Sequence, residues 1–138
     1  AVFHHTAQLP LMLEQLAVQV DLSKVSAVGA SFTPRSTKGS YMPCFTVGSG
    51  FARSLASVMN VPLYRFSHQQ GHIAAAVYSC GHTELFTKKH LAFHISGGTT
   101  EALIVTPDKD NIISANLVGK TLDLNAGGIL GAVVRGQA

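Results

Sequence analysis

Apolar residues recur along the chain at two periods, and the switches between them divide it into elements. Leu9, Leu13, Leu16, Ala17 and Val20 keep helical spacing, which predicts a helix over about residues 6–20, with Thr6 as cap and Pro10 in the first turn. Asp21-Leu22-Ser23-Lys24 reads as a turn, and the apolar small-residue run from Val25 to Phe32 as a buried strand. Thr33 to Pro43 carries Pro34, Gly39 and Pro43 and reads as a loop. Val47, Phe51, Leu55, Val58 and Met59 predict the apolar face of a second helix over Phe45 to Asn60, in which Gly48 and Gly50 suggest close packing against a neighbour. Asn60 ends that helix and Pro62 prevents its continuation. Leu63 to Ser67 is a strand, and the chain then turns helical at His68 and stays so through Ala74 to Tyr78.

Cys80-Gly81-His82 begins a connection. His90 to Ser96 and Glu101 to Thr106 read as strands joined through Gly97-Gly98-Thr99-Thr100. Pro107-Asp108-Lys109-Asp110 reads as a turn, Asn111 to Leu117 as a further strand, and Thr121 to Val134 as a helix containing Gly127, Gly128 and Gly131. The succession is that of an α/β protein, in which a strand-to-helix junction is a common place for a site.

Composition narrows the class. With 138 residues, one domain is expected, and 46% hydrophobic residues with 12% charged ones fit a packed core and exclude disorder. The net charge of +3, with no basic cluster larger than Lys88-Lys89, is too mild to argue for nucleic acid by itself. Cys44 and Cys80 lie far apart without a CxxC pattern, so a reduced, cytoplasmic protein is expected. No apolar run reaches spanning length and the first residues lack a signal-peptide pattern, so no membrane role is expected. The chain begins without Met and ends in Gly-Gln-Ala, which suggests a piece of something longer.

The chemistry concentrates in two stretches. In Ser67-His68-Gln69-Gln70-Gly71-His72 two histidines stand four residues apart at the start of a helical run. Residues at that spacing share a helix face, and two neutral imidazoles there can reach one divalent ion. The bland alternative is a pair that lines or caps a helix. A zinc protease uses the same spacing but needs a glutamate directly after the first histidine, and Gln69 cannot take a proton. The other five histidines, His4, His5, His82, His90 and His94, share no spacing. The second stretch is Ser96-Gly97-Gly98-Thr99-Thr100. Its glycines permit positive φ and expose backbone N–H groups, which with the Ser96, Thr99 and Thr100 hydroxyls can cradle a phosphate; the alternative is a plain hairpin turn. Arg35 and Lys38 in the long loop can meet an anion or stand as solvated charges.

With both motifs placed, the chain resembles the glycoprotease family. Its members were long described as O-sialoglycoprotein endopeptidases and are now understood as the subunit that transfers threonylcarbamoyl to adenosine of tRNA. The matching stretches are Leu9-Pro10, Val47-Gly48 leading into Phe51-Ala52-Arg53-Ser54-Leu55-Ala56, Pro62-Leu63, His68-Gln69-Gln70-Gly71-His72, and Ser96-Gly97-Gly98-Thr99-Thr100-Glu101. Thr121-Leu122-Asp123 through Ala126-Gly127 matches more loosely.

The resemblance implies an actin-like, ribonuclease H-like ATPase fold, a mixed sheet with flanking helices, present here as one partial domain over residues 1–138. It implies that His68 and His72 bind a divalent metal, iron or zinc. It further implies that Ser96, Gly97, Gly98, Thr99 and Thr100 hold ATP or a threonylcarbamoyl-adenylate. No catalytic residue is assigned, and the chain is expected to be inactive alone. Tissue for a second reading lies in the departures: Gly128 and Gly131 stand where the family usually carries a glutamate and an aspartate. On that reading the chain is a non-catalytic paralogue, an interaction module that pairs with a sister actin-like subunit or with itself, and tRNA is met only through the full-length protein. A metallo-endopeptidase of sialoglycoproteins is the third and weakest reading.

Overall fold

The computed structural model describes residues 1–96 and 98–122. The chain divides into two compact units, Ala1–His72 and Ile73–Ala138.

In the first unit, helix α1 runs Val2–Gln19, strand β1 Val28–Thr33, helix α2 Pro43–Met59 and strand β2 Leu63–Ser67, and helix α3, His68–Ser79, starts there. β1 and β2 pair in parallel, Val28 opposite Leu63 through Ser31 opposite Phe66. Parallel neighbours need a long crossover, and α2 supplies it, packing on β1. The pairing then slips: Thr33, not Phe32, stands opposite Ser67, so Phe32 is a one-residue bulge. The Arg65 guanidinium lies over the Phe32 ring, 4.9 Å from its centroid.

Helix α1 starts earlier than its apolar spacing suggests. Thr6 is no cap; its hydroxyl donates back to the Val2 carbonyl at 3.1 Å, one turn earlier. Pro10 therefore lies inside the helix and removes one backbone bond from it. Only Leu9 and Leu13 of α1 are half-buried, and α1 packs on α2. The predicted strand from Val25 begins at Val28, because Leu22–Lys24 forms a 3-10 turn capped by the Asp21 carboxylate, which accepts the Ser23 N–H at 3.0 Å.

In α2, the most buried residues are Ala52 and Ala56, while Val47, Phe51, Leu55 and Met59 are half-buried and Val58 is exposed. The buried stripe is thus shifted toward small residues, which lets the helix approach the strand closely. The predicted close packing at Gly48 and Gly50 is not found, since a side chain at either would meet nothing within 4 Å. Asn60 does end α2: it takes the left-handed conformation at φ 53 and its N–H reaches the Ala56 and Ser57 carbonyls.

In the second unit, strands β3 (His90–Ile95), β4 (Thr100–Asp108) and β5 (Ile112–Lys120) form an antiparallel sheet in that spatial order. Ile73 and Val77, one turn apart on α3, close over Leu103, Val105 and Ile113 to form its core. Leu85 and Phe86, from an unforeseen 3-10 turn over Thr83–Thr87, pack against that cluster. Gly81 follows α3 at φ 75, where a glycine stops the helix without strain.

β4 is longer than predicted and takes in Pro107 and Asp108. The proline is tolerated because β3 reaches only to Val105, leaving β4 paired on one side there. Asp108 ties the turn into β5: its Oδ1 accepts the Asn111 N–H at 2.8 Å and the Asp110 N–H at 2.9 Å. These donors, Asn111 first, hold its carboxyl below the ordinary value. β5 carries a bulge as well, since Leu103 faces Leu117 while Ala102 faces Gly119. The predicted helix over Thr121 to Val134 lies outside the described residues from Asp123 onward. The α/β class expected from the sequence is present, with parallel pairing in one sheet and antiparallel in the other.

Candidate metal centre

The carboxyl ends of parallel strands are where α/β proteins place ligands, and both β1 and β2 deliver polar chain there. β1 runs into the loop over residues 34–42, and β2 passes into α3 with no residue between Ser67 and His68.

This junction is fixed by a reciprocal pair of hydrogen bonds. The Ser67 hydroxyl accepts the Gln70 N–H at 3.2 Å, and Gln70 Oε1 accepts the Ser67 N–H at 2.7 Å. That is a capping box, the Ser-x-x-Gln pattern that satisfies otherwise orphaned donors at a helix start. The loop adds two further ties: the Gln69 N–H donates to the Pro34 carbonyl at 3.1 Å, and the Ser36 hydroxyl to that of Ser67 at 3.1 Å. Ser67, Gln69 and Gln70 are buried by these contacts.

His68 and His72 are exposed on the other side of the same turns. Their Nε2 atoms lie 2.9 Å apart, a hydrogen bond in which one imidazole donates to the other, and the rings meet edge to face, with centroids 4.3 Å apart and planes at 70°. The Phe45 ring stands 5.7 Å from that of His68. Two nitrogens each about 2.1 Å from a shared ion are about 3.0 Å apart at a right angle and about 3.4 Å apart in a tetrahedron. The pair therefore fits two neighbouring positions on one divalent ion. Among the described residues no group of three His, Cys, Asp or Glu stands together.

The second stretch folds on itself. Ser96 Oγ accepts the Thr99 N–H at 3.0 Å and the Gly98 N–H at 3.4 Å, while the Ser96 N–H donates to the Thr99 carbonyl at 2.9 Å. The Thr100 N–H, at the first residue of β4, donates to Thr121 Oγ1 at 3.2 Å. The donors expected to face a phosphate are thus held by side-chain oxygens. Gly98 does not use a positive φ, and Gly97 lies outside the described residues.

Two features escaped the sequence reading. The capping box was legible in Ser67-His68-Gln69-Gln70 itself. A buried carboxylate, Glu101, lies directly after the Gly-rich turn and faces His94 across the β3–β4 ladder, Oε2 to Nδ1 3.6 Å; the cross-strand register alone brings these two together. Cys80 is exposed and Cys44 half-buried, both as free thiols. A cavity of about 450 Å³ lined by Arg53, Ala56, Asn60 and Leu63 opens at the start of β2, the end of the strand away from His68. Among the described residues no helix is long and apolar enough to cross a membrane.

Comparison with known proteins gives one consistent result. The family model of tRNA N6-adenosine threonylcarbamoyltransferase matches residues 1–133. The chain is 35% identical to the tRNA N6-adenosine threonylcarbamoyltransferase of Bifidobacterium adolescentis, over 96% of its own length and 35% of that protein's. It is 31% identical to that of Christiangramia forsetii over 87% of its length and 33% of the relative's. For that of Methanopyrus kandleri the identity is 27%, over 98% of the chain and 37% of the relative. The chain thus spans about a third of the length of the curated relatives it matches.

Proposed function

The chain belongs to the tRNA N6-adenosine threonylcarbamoyltransferase family, with the actin-like α/β fold that membership implies, and from that premise we propose that it is the part of such a transferase that holds a divalent metal through His68 and His72. The observation that carries the reading is the 2.9 Å approach of the two Nε2 atoms on an exposed, capped helix start. Iron and zinc both suit imidazole nitrogen. When bound, such an ion supplies a Lewis acid that polarises a carbonyl oxygen.

The reaction is an acyl-type transfer. The N6 amine of a tRNA adenosine attacks the carbamoyl carbon of threonylcarbamoyl-adenylate, a new C–N bond forms, the C–O bond to the adenylate breaks, and AMP leaves with the amine losing its proton. This chain's residues contribute binding and orientation. His68 and His72 fix the ion, and the Ser96–Thr100 turn meets the adenylate with the N–H groups that Ser96 Oγ now occupies.

The test is metal content after loading with Fe2+ or Zn2+, measured on the full-length protein that contains this chain and on its His68→Ala and His72→Ala variants. The expected result is one ion per chain, lost in both variants. An ion that survives both substitutions, or none in the full-length protein, overturns the reading.

A further inference from the structure

We propose that Ser67, Gln70 and Ser36 are positioning residues for the imidazole pair, so that the loop over residues 34–42 sets how tightly that pair grips a divalent ion. The inference rests on the reading of His68 and His72 as metal-holding residues.

Both histidines are exposed and sit in the first two turns of α3, where a helix lacks its full set of backbone bonds. Their Nε2 separation depends on those turns being closed, because one unwound residue moves the rings off a common face. Closure comes from polar groups that never touch the ion. The Gln70 N–H and the Ser67 N–H are satisfied within the capping box, at 3.2 and 2.7 Å. The remaining ties come from the loop: the Pro34 carbonyl takes the Gln69 N–H, and the Ser36 hydroxyl donates to the same Ser67 oxygen that caps the helix. Ser67 is 3% exposed and Gln70 5%, so water cannot readily replace a lost partner, and an unmade bond there opens the turn. Ser67 is at the centre of this chain of bonds, and Ser36 at its outer end joins the loop to the cap.

Outer-shell groups that orient metal ligands characteristically change affinity by about 10- to 100-fold when removed. The experiment measures zinc affinity of the full-length protein that contains this chain by competition with a chromophoric chelator, and the visible absorption of Co2+ at the same site. Ser67→Ala and Gln70→Ala are expected to weaken zinc about tenfold or more and to alter the Co2+ spectrum, with Ser36→Ala shifting both in the same direction by less. Gln70→Glu, whose carboxylate can accept the same N–H, restores both readouts. Far-UV circular dichroism identifies any variant that fails to fold, and Ser36→Ala, outside every helix and strand, keeps the test alive if Ser67→Ala does. Unchanged affinity and spectrum in Ser36→Ala and Gln70→Ala, alongside loss in His68→Ala, overturns the positioning role alone. A full-length protein that binds no zinc and no Co2+ overturns the metal reading and this inference with it.

Discussion

The two compact units bury different material. In Ala1–His72 the buried residues are Ala52, Ala56, Ser67, Gln69 and Gln70, either small or polar; in the second unit the aliphatic Ile73, Val77, Leu103, Val105 and Ile113 form a cluster around the sheet, with Glu101 the buried exception. A parallel β-α-β pair with a polar junction at its carboxyl end has little apolar volume to spend on a core. It is held by close helix–strand approach and by hydrogen bonds that also build the site. The antiparallel sheet is held by transfer of large side chains out of water. Rigidity at the histidine pair therefore comes from directional bonds, which fix positions more sharply than aliphatic contact does.

The comparison breaks most readily at Leu103, which is 1% exposed in the second unit's cluster. Leu103→Ala should lower the unfolding free energy of the sheet by about 3 kcal/mol, read by hydrogen exchange at β4 amides. A loss below about 1 kcal/mol would mean that the aliphatic cluster is not what holds that unit. The converse test adds volume to the first unit. Ala52→Leu, on the buried stripe of α2 and away from the cavity that Ala56 lines, should cost about 2 kcal/mol through overpacking, measured by urea denaturation; a neutral result would show that small residues there are incidental. The smallest effect is at the β4–β5 turn. The Asp108 carboxyl is held below its ordinary value of 3.8, chiefly by the Asn111 N–H, so the turn's contribution is present above that pH and is lost as pH falls through the lower folded value. The stability gap between the parent chain and Asp108→Ala should be flat near neutrality and close under acid conditions. A gap unchanged down to the lowest accessible pH would remove the carboxylate from the account.

Local chemistry was readable in the sequence, and pairing was not. Leu63–Ser67 is the strand predicted, because Pro62 bars a helix before it and the chain turns helical after it. Asn60 and the turn at Asp21 likewise act through their immediate neighbours. Thr6 misled because a threonine can cap a helix or bond one turn back inside it, and the choice rests on residues before it. Pro107 misled because a proline ends a strand only where both sides are paired, and β3's stopping point is not a local property. His94 and Glu101 meet through a register that no spacing reveals. The shared face of His68 and His72 follows from their four-residue spacing. Gln69 was weighed for its lack of basicity and Gln70 for nothing, whereas the length of Gln70 and its place three residues after Ser67 are what close the cap.

The bulge at Phe32 carries a further consequence. Side chains alternate along a strand, so one surplus residue inverts the parity of everything after it. Thr33 leaves β1 opposite Ser67 only because Phe32 has been skipped, and the loop is thereby aimed at the histidine helix instead of away from it. Length changes should accordingly be tolerated very unequally. Insertions beyond Ser36, past the ties that Pro34 and Ser36 make to the helix start, merely lengthen a surface loop at small entropic cost. Removal of the single residue Phe32 would restore even pairing and send Pro34 and Ser36 off on the opposite face. A frame of one residue in the strand thus governs where the whole loop can go.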